Sequence, residues 1–265
     1  MKGAITGDVI GSVFEFNPIK KKEFDLFYET SRYTDDSVLT MAVADSLLHG
    51  IPYWESFMRW SVNETSRGFG GGFFKWLFTK DKQPYNSLGN GAAMRISPIG
   101  FFFNTEEDVL REAKKCCDVT HNHPEGVKAG QAVAMAIYLA RNGKSKKEIR
   151  QFIEKSFGYD VSRKLDDIRP DYRFTEKSPE SVPEAIICFL ESDSYEDAVR
   201  NAISLGGDAD TQACIAGAIA EAFYGIDEKL WDTAKGYLSE KMVRVVEEFY
   251  GKVDLKPDAH MGTIP

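Results

Sequence analysis

The chain has 265 residues, 43% of them hydrophobic and 28% charged, with a formal net charge of −8. This is the balance of a globular chain long enough to bury a sizeable core, and its acidity argues against a nucleic-acid partner, since phosphate neutralisation favours a basic face. No apolar run approaches the ~20 residues that a membrane span needs, and residues 1–20 lack the pattern of a cleaved leader. The four cysteines, Cys116, Cys117, Cys188 and Cys214, form no C-x-x-C pair and no disulfide framework. A reducing cytoplasm is the simplest compartment for them. Neither charge nor cysteine content sets an oligomeric state.

Along the chain the dominant signal is helical. Gly3, Gly7 and Gly11 recur every four residues and share one helix face, where they permit close packing; Glu15 falls one turn further along that face, positioned to project into a tight site. Residues 37–48 carry a broad apolar face and predict a helix. The run Phe101–Phe103 is too short to assign. Residues 106–117 read as amphipathic, residues 124–139 open a helix with proline at its first position, and residues 146–157 are amphipathic again. Residues 169–183 are polar, hold three prolines and read as a surface loop. Helices follow at 182–190 and 195–204. Residues 209–224 are apolar nearly all round, which predicts a central buried helix, and 240–250 closes the series. Alternating strands are scarce and internal repeats absent. The fold class is therefore all-α, one compact multi-helix domain across residues 1–265.

Several short segments interrupt this pattern, each placing glycine, aspartate, asparagine or histidine just before a helix. Thr34-Asp35-Asp36-Ser37 opens one helix and Gly206-Gly207-Asp208-Ala209-Asp210-Thr211 opens another. A single acid at a helix N-terminus is most simply a cap, satisfying free N–H groups and the helix dipole. Each cluster, however, supplies two acids and a threonine. If the buried helices bring the clusters together, four aspartates converge, and they cannot all stay ionised without compensation. Oxygen donors without cysteine select a hard cation such as Mg²⁺, Mn²⁺ or Ca²⁺. Ser87-Leu88-Gly89-Asn90-Gly91 is a glycine turn whose backbone N–H groups can cradle an anion. Arg95, just beyond it, reads either as a phosphate partner or as a structural ion pair. The spacing of His121-Asn122-His123 behind Cys116-Cys117 matches no common zinc pattern.

Taken together these segments resemble the ADP-ribosylglycohydrolase family. The matching residues are G-A-I-T-G-D-V-I-G-S-V-F-E at 3–15, Y-T-D-D-S at 33–37, G-N-G-A-A-M-R-I-S-P at 89–98, T-H-N-H-P at 120–124 and G-G-D-A-D-T at 206–211. They stand in the family's order and span nearly the whole chain. The resemblance implies an all-α fold with a central cleft for two magnesium ions, or manganese in their place, bound by Thr34, Asp35, Asp36, Asp208, Asp210 and Thr211. It implies that Glu15 approaches the metals or the water, with Glu15 and Asp208 both open as the catalytic group. It further implies that Gly70 and Gly72 border the ADP-ribose, that Ser87, Gly89, Asn90 and Gly91 cradle it, and that His121 is a substrate-side histidine. Leu88 stands where some members carry an aromatic near the adenine, a role open here to Phe69, Phe73, Phe74 or Trp76. The expected reaction is magnesium-dependent hydrolysis of the bond linking ADP-ribose to a protein side chain or a small molecule. Two alternatives are a non-catalytic ADP-ribose-binding relative and a metal-dependent phosphoesterase cleaving the pyrophosphate. The acceptor is not specified by these residues.

Overall fold

A computed structural model describes residues 1–253. The chain runs through α1 (Lys2–Gly11), α2 (Asp35–His49), α3 (Tyr53–Ser61), α4 (Gly71–Phe78), the short α5 (Gly91–Met94) and α6 (Ser97–Phe102), and α7 (Glu106–Asp118). It continues through α8 (Pro124–Arg141), α9 (Lys146–Phe157), the one-turn α10 (Leu165–Ile168), α11 (Ser178–Leu190), α12 (Tyr195–Ser204), α13 (Ala209–Tyr224), α14 (Glu228–Lys235) and α15 (Glu240–Lys252). Among the described residues there is no β-strand beyond one isolated antiparallel bridge between Gly89 and Lys177. The all-α single domain expected from the sequence is what forms, and no described helix is long and apolar enough to cross a membrane.

α13 is the axis of the molecule. Every residue from Ala209 to Glu221 is buried, and α1, α8, α11 and α12 pack around it. α1 lies against it through the glycine stripe. A Cβ on Gly3, Gly7 or Gly11 would fall less than 3.0 Å from backbone atoms of Gly217, Ala213 and Asp210 respectively, so only glycine permits this separation. Gly217 reciprocates against Gly3. Because Gly11 meets Ala209 and Asp210, the seam ends at the N-terminus of α13 and delivers residues 12–17 to that point.

Several expectations change. α1 stops at Gly11, and Ser12–Asn17 forms turns with Phe14 N donating to Gly11 O at 2.8 Å. Glu15 therefore does not sit one helical turn beyond Gly11 on the same face; it is carried by a turn. The expected loop at 169–183 is cut short by α11, which starts at Ser178 with Pro179 in its first turn and Pro183 inside it. Phe101 and Phe102 belong to α6. α3, α4, α10 and α14 were not expected: each is short, and α4 opens on Gly71-Gly72, which reads as a loop by composition.

Candidate active site

Two helix N-termini face each other, and Asp8, inside α1, ties them together. Asp8 is fully buried. Its Oδ2 accepts hydrogen bonds from Thr34 N at 3.0 Å, from Ser37 N at 3.1 Å and from the Ser37 hydroxyl, while its Oδ1 accepts from Thr34 Oγ1 at 2.7 Å. With four donors satisfied, Asp8 acts as the cap of α2, supplied from another helix. Sequence reasoning missed it, because an acid within a glycine stripe carries no local sign of a partner some 26 residues later.

Asp8 serves the start of α2, and the other acids gather beside it, Asp210 Oδ1 accepting from Thr211 N at 2.9 Å. One carboxylate oxygen each from Asp8, Asp36 and Asp210 lie within 4.8 Å of one another, as do oxygens from Glu15, Asp208 and Asp210. Asp210 is common to both groups. Asp36 Oδ2 takes long contacts from Thr34 Oγ1 at 3.4 Å and Thr211 Oγ1 at 3.3 Å, while Asp36 Oδ1 is buried with no partner. Asp208 Oδ2 accepts from Asn90 Nδ2 at 2.7 Å. Asp35, less buried, lines the cleft above them. Glu15 makes no hydrogen bond or ion pair among the described residues.

Burial first, and then the charges of the neighbouring acids, push the carboxyls of Asp35, Asp36 and Asp210 well above the usual carboxylate range. Glu15 is raised to about 8, chiefly by desolvation and then by Asp210, against the pull of Arg32. Such a cluster is uncomfortable as it stands. The orphaned Asp36 oxygen, the clustered acids and the hydroxyls of Thr34 and Thr211 are an oxygen-only donor set, and they fit a hard divalent cation. No cysteine or histidine joins these groups; the four cysteines are free and buried, and Cys214, which lies beside Asp36, donates its thiol to Met94 O.

The predicted substrate loop closes the cleft's other wall. Ser87, Gly89, Asn90, Gly91 and His121 line the same cavity as Asp35, Asp36, Asp208, Asp210 and Thr211, and Gly70 and Gly72 line it too. Thr34 lies just beneath, 2% exposed. Asn90 N donates to Glu176 O at 2.7 Å and Ser178 Oγ to Gly89 O at 2.7 Å, so the start of α11 braces the loop. His121 is buried beneath the loop; His123 caps α8 through Glu125 N at 3.1 Å. Arg95 is not an ion pair: it is fully buried, with no acidic partner among the described residues. Of the aromatics expected to replace Leu88, only Phe73 lines the cavity; Phe69 and Trp76 pack around it, and Phe74 turns outward onto Phe78. Tyr85 and Glu176 also line the cavity. Both were missed in polar stretches that read as loops.

A family model described as ADP-ribosylglycohydrolase matches residues 1–255. The chain is 28% identical to the ADP-ribosylhydrolase ARH3 of Mus musculus, over 94% of this chain and 91% of that one. It is 26% identical to the ADP-ribosyl-[dinitrogen reductase] glycohydrolase of Rhodospirillum rubrum, over 95% and 92% respectively. A solved structure titled "ADP-ribosylglycohydrolase-related protein complex" superposes with a TM-score of 0.72 at 22% identity, covering 95% of this chain and 96% of that one, which supports the fold. A match over nearly the full length, joined to an all-helical fold and paired acidic helix ends, makes this chain a member of the ADP-ribosylglycohydrolase family.

Proposed function

We propose that this chain hydrolyses the glycosidic bond joining ADP-ribose to an acceptor, a protein side chain or a small molecule, and releases free ADP-ribose. The observation that carries the reading is the shared position of Asp210 in two groups of acids on the floor of the cleft that the Ser87–Gly91 loop walls. The names of the relatives agree with it: the mouse protein is an ADP-ribosylhydrolase and the Rhodospirillum rubrum protein an ADP-ribosyl glycohydrolase.

Asp35, Asp36, Asp208, Asp210, Thr34 and Thr211 would hold two divalent cations, with magnesium the proposed ion and manganese accepted by the same donors. When bound, such ions supply Lewis acidity and orientation for the ribose oxygens and the attacking water. The protein's own groups do the rest. The N–H groups of the glycine loop and Asn90 hold the anionic part of the substrate, with His121 beneath them. Between the two candidates for the water, Asp208 is tethered to Asn90, whereas Glu15 has no partner and sits on a turn at the cleft edge. Glu15 therefore orients or deprotonates the water, and Asp208 helps to stabilise the oxocarbenium-like state. Four free, buried cysteines suit the reducing cytoplasm.

Release of free ADP-ribose from arginine-, serine- and acetyl-linked substrates, with Mg²⁺ and with EDTA, tests this reading. Metal-dependent release from at least one linkage is expected. AMP plus ribose phosphate as products would replace it with a phosphoesterase, and tight ADP-ribose binding without turnover of any linkage would replace it with a binding protein.

A further inference from the structure

Arg95 is the largest fully buried side chain among the described residues. Its guanidinium lies over the Phe57 ring at 4.4 Å, and only Nη2 finds partners: Thr120 Oγ1 at 2.8 Å and Cys116 O at 3.3 Å. Nε and Nη1 have none. A buried cation with no carboxylate beside it is costly, so its retention next to the cleft calls for a purpose.

Thr120 Oγ1, having accepted from Arg95, has one proton to give. Its other neighbours are His121 Nδ1, at 2.8 Å, and the Tyr85 hydroxyl; of the two, the imidazole nitrogen is the more basic acceptor. The guanidinium polarises the hydroxyl and makes it the better donor. Nδ1 is then the acceptor, and the ring proton sits on Nε2. The backbone holds the pair in place, with His121 N donating to Cys117 O at 2.7 Å and Thr120 N donating to the same carbonyl at 3.1 Å. The Tyr85 ring flanks the imidazole, with centroids 6.0 Å apart. Nε2 faces the glycine loop, since a Cβ built on Gly91 would stand 3.1 Å from it and one on Gly89 3.7 Å. The two glycines thus leave open the space in front of that nitrogen.

We propose that Arg95 and Thr120 are positioning residues that lock His121 as the Nε2–H tautomer, a hydrogen-bond donor aimed at an acceptor oxygen of the ADP-ribose held by the Gly89–Gly91 loop. This rests on the proposed role of His121 as a substrate contact. Burial and the Arg95 charge both disfavour a second proton on the ring, so His121 offers this bond as a neutral group and does not act as the acid or base of the reaction.

The test is nitrogen-15 NMR of the histidine-labelled protein, with the His121 signals assigned by His121→Gln, alongside calorimetric binding of free ADP-ribose. Wild type is expected to show a protonated Nε2 and a bare Nδ1. Thr120→Val removes the hydroxyl at nearly constant shape and should release the lock, moving the proton wholly or partly to Nδ1 and weakening ADP-ribose binding about tenfold, the loss of one hydrogen bond. Thr120→Ser should restore both. A protonated Nδ1 in wild type, or an unchanged tautomer in a folded Thr120→Val, overturns the lock. Unchanged ADP-ribose affinity in His121→Phe, which keeps a ring but has no donor, overturns instead the substrate contact beneath it, so the two failures are told apart.

Discussion

The N-termini of α9 and α13 carry similar residue types and are put to opposite uses. At α9, Ser145 and Glu148 satisfy one another's backbone groups in a capping box, and these hydrogen bonds lower the Glu148 carboxyl to about 2. At α13, Asp208 makes no cap bond to its own helix, and Asp208 and Asp210 are held above the ordinary carboxylate range by burial. An acid that completes a helix end is comfortable when ionised. An acid in excess of what the helix end needs, and buried beside others, is uncomfortable when ionised unless a cation compensates it. α2 combines the two cases: Asp8 reaches across to cap it, and Asp35 and Asp36 are left over.

The largest expected effect is at Asp210, the acid shared by both groups. Asp210→Ala should lower ADP-ribose release by more than about 100-fold, beyond the range for losing an outer partner of a metal ligand, while the circular dichroism of the helices persists. Near-native turnover would return Asp210 to the class of Glu148. Gly7→Ala comes next. Its new methyl would strike the backbone of Ala213, so chemical denaturation should show a loss of about 3 kcal/mol, and activity should fall because the same seam sets Asp8 and Glu15.

The pH dependence of the metal-free protein sharpens the contrast further. The cleft carboxyls are raised on folding, so their contribution to stability is present below the ordinary value of 4.5 for Glu15 and is lost as pH rises through about 8. The melting temperature should therefore fall between pH 5 and 9 in EDTA, and Mg²⁺ should remove most of the fall by binding the ionised form. Glu148 has the opposite sign, contributing above its ordinary range and losing that contribution as pH falls through about 2. The smallest expected effect is Ser145→Ala, about 1 kcal/mol in denaturation with no change in turnover.

Much of this was readable from the chain because the informative signals were local. The start of α13 follows from Asp208 and Asp210 after two glycines, and its burial from an apolar surface on every side. The glycine period at 3, 7 and 11 announced a close helix pair. The features that could not be read required a partner distant in sequence. Asp8 looked like one more residue of a packing stripe until Thr34 and Ser37 came to it. Tyr85 sat in a polar stretch and gained meaning only where its ring packs on Gly72, where an added Cβ would fall 2.9 Å from it, and lies beside His121. Arg95 suggested a salt bridge, and only the fold shows that it reaches a threonine hydroxyl instead. Glu15 was placed in the cleft by the wrong device, a continued helix, where a turn brings it there.

The most direct test of the account is to titrate Mn²⁺ into the metal-free protein and count bound ions by electron paramagnetic resonance, for wild type and Asp210→Asn. The account predicts saturable binding of two ions in wild type, displaced by Mg²⁺, and loss of both in the variant, because both groups share that carboxylate. Absence of saturable binding in wild type, or the same count in both proteins, would contradict it.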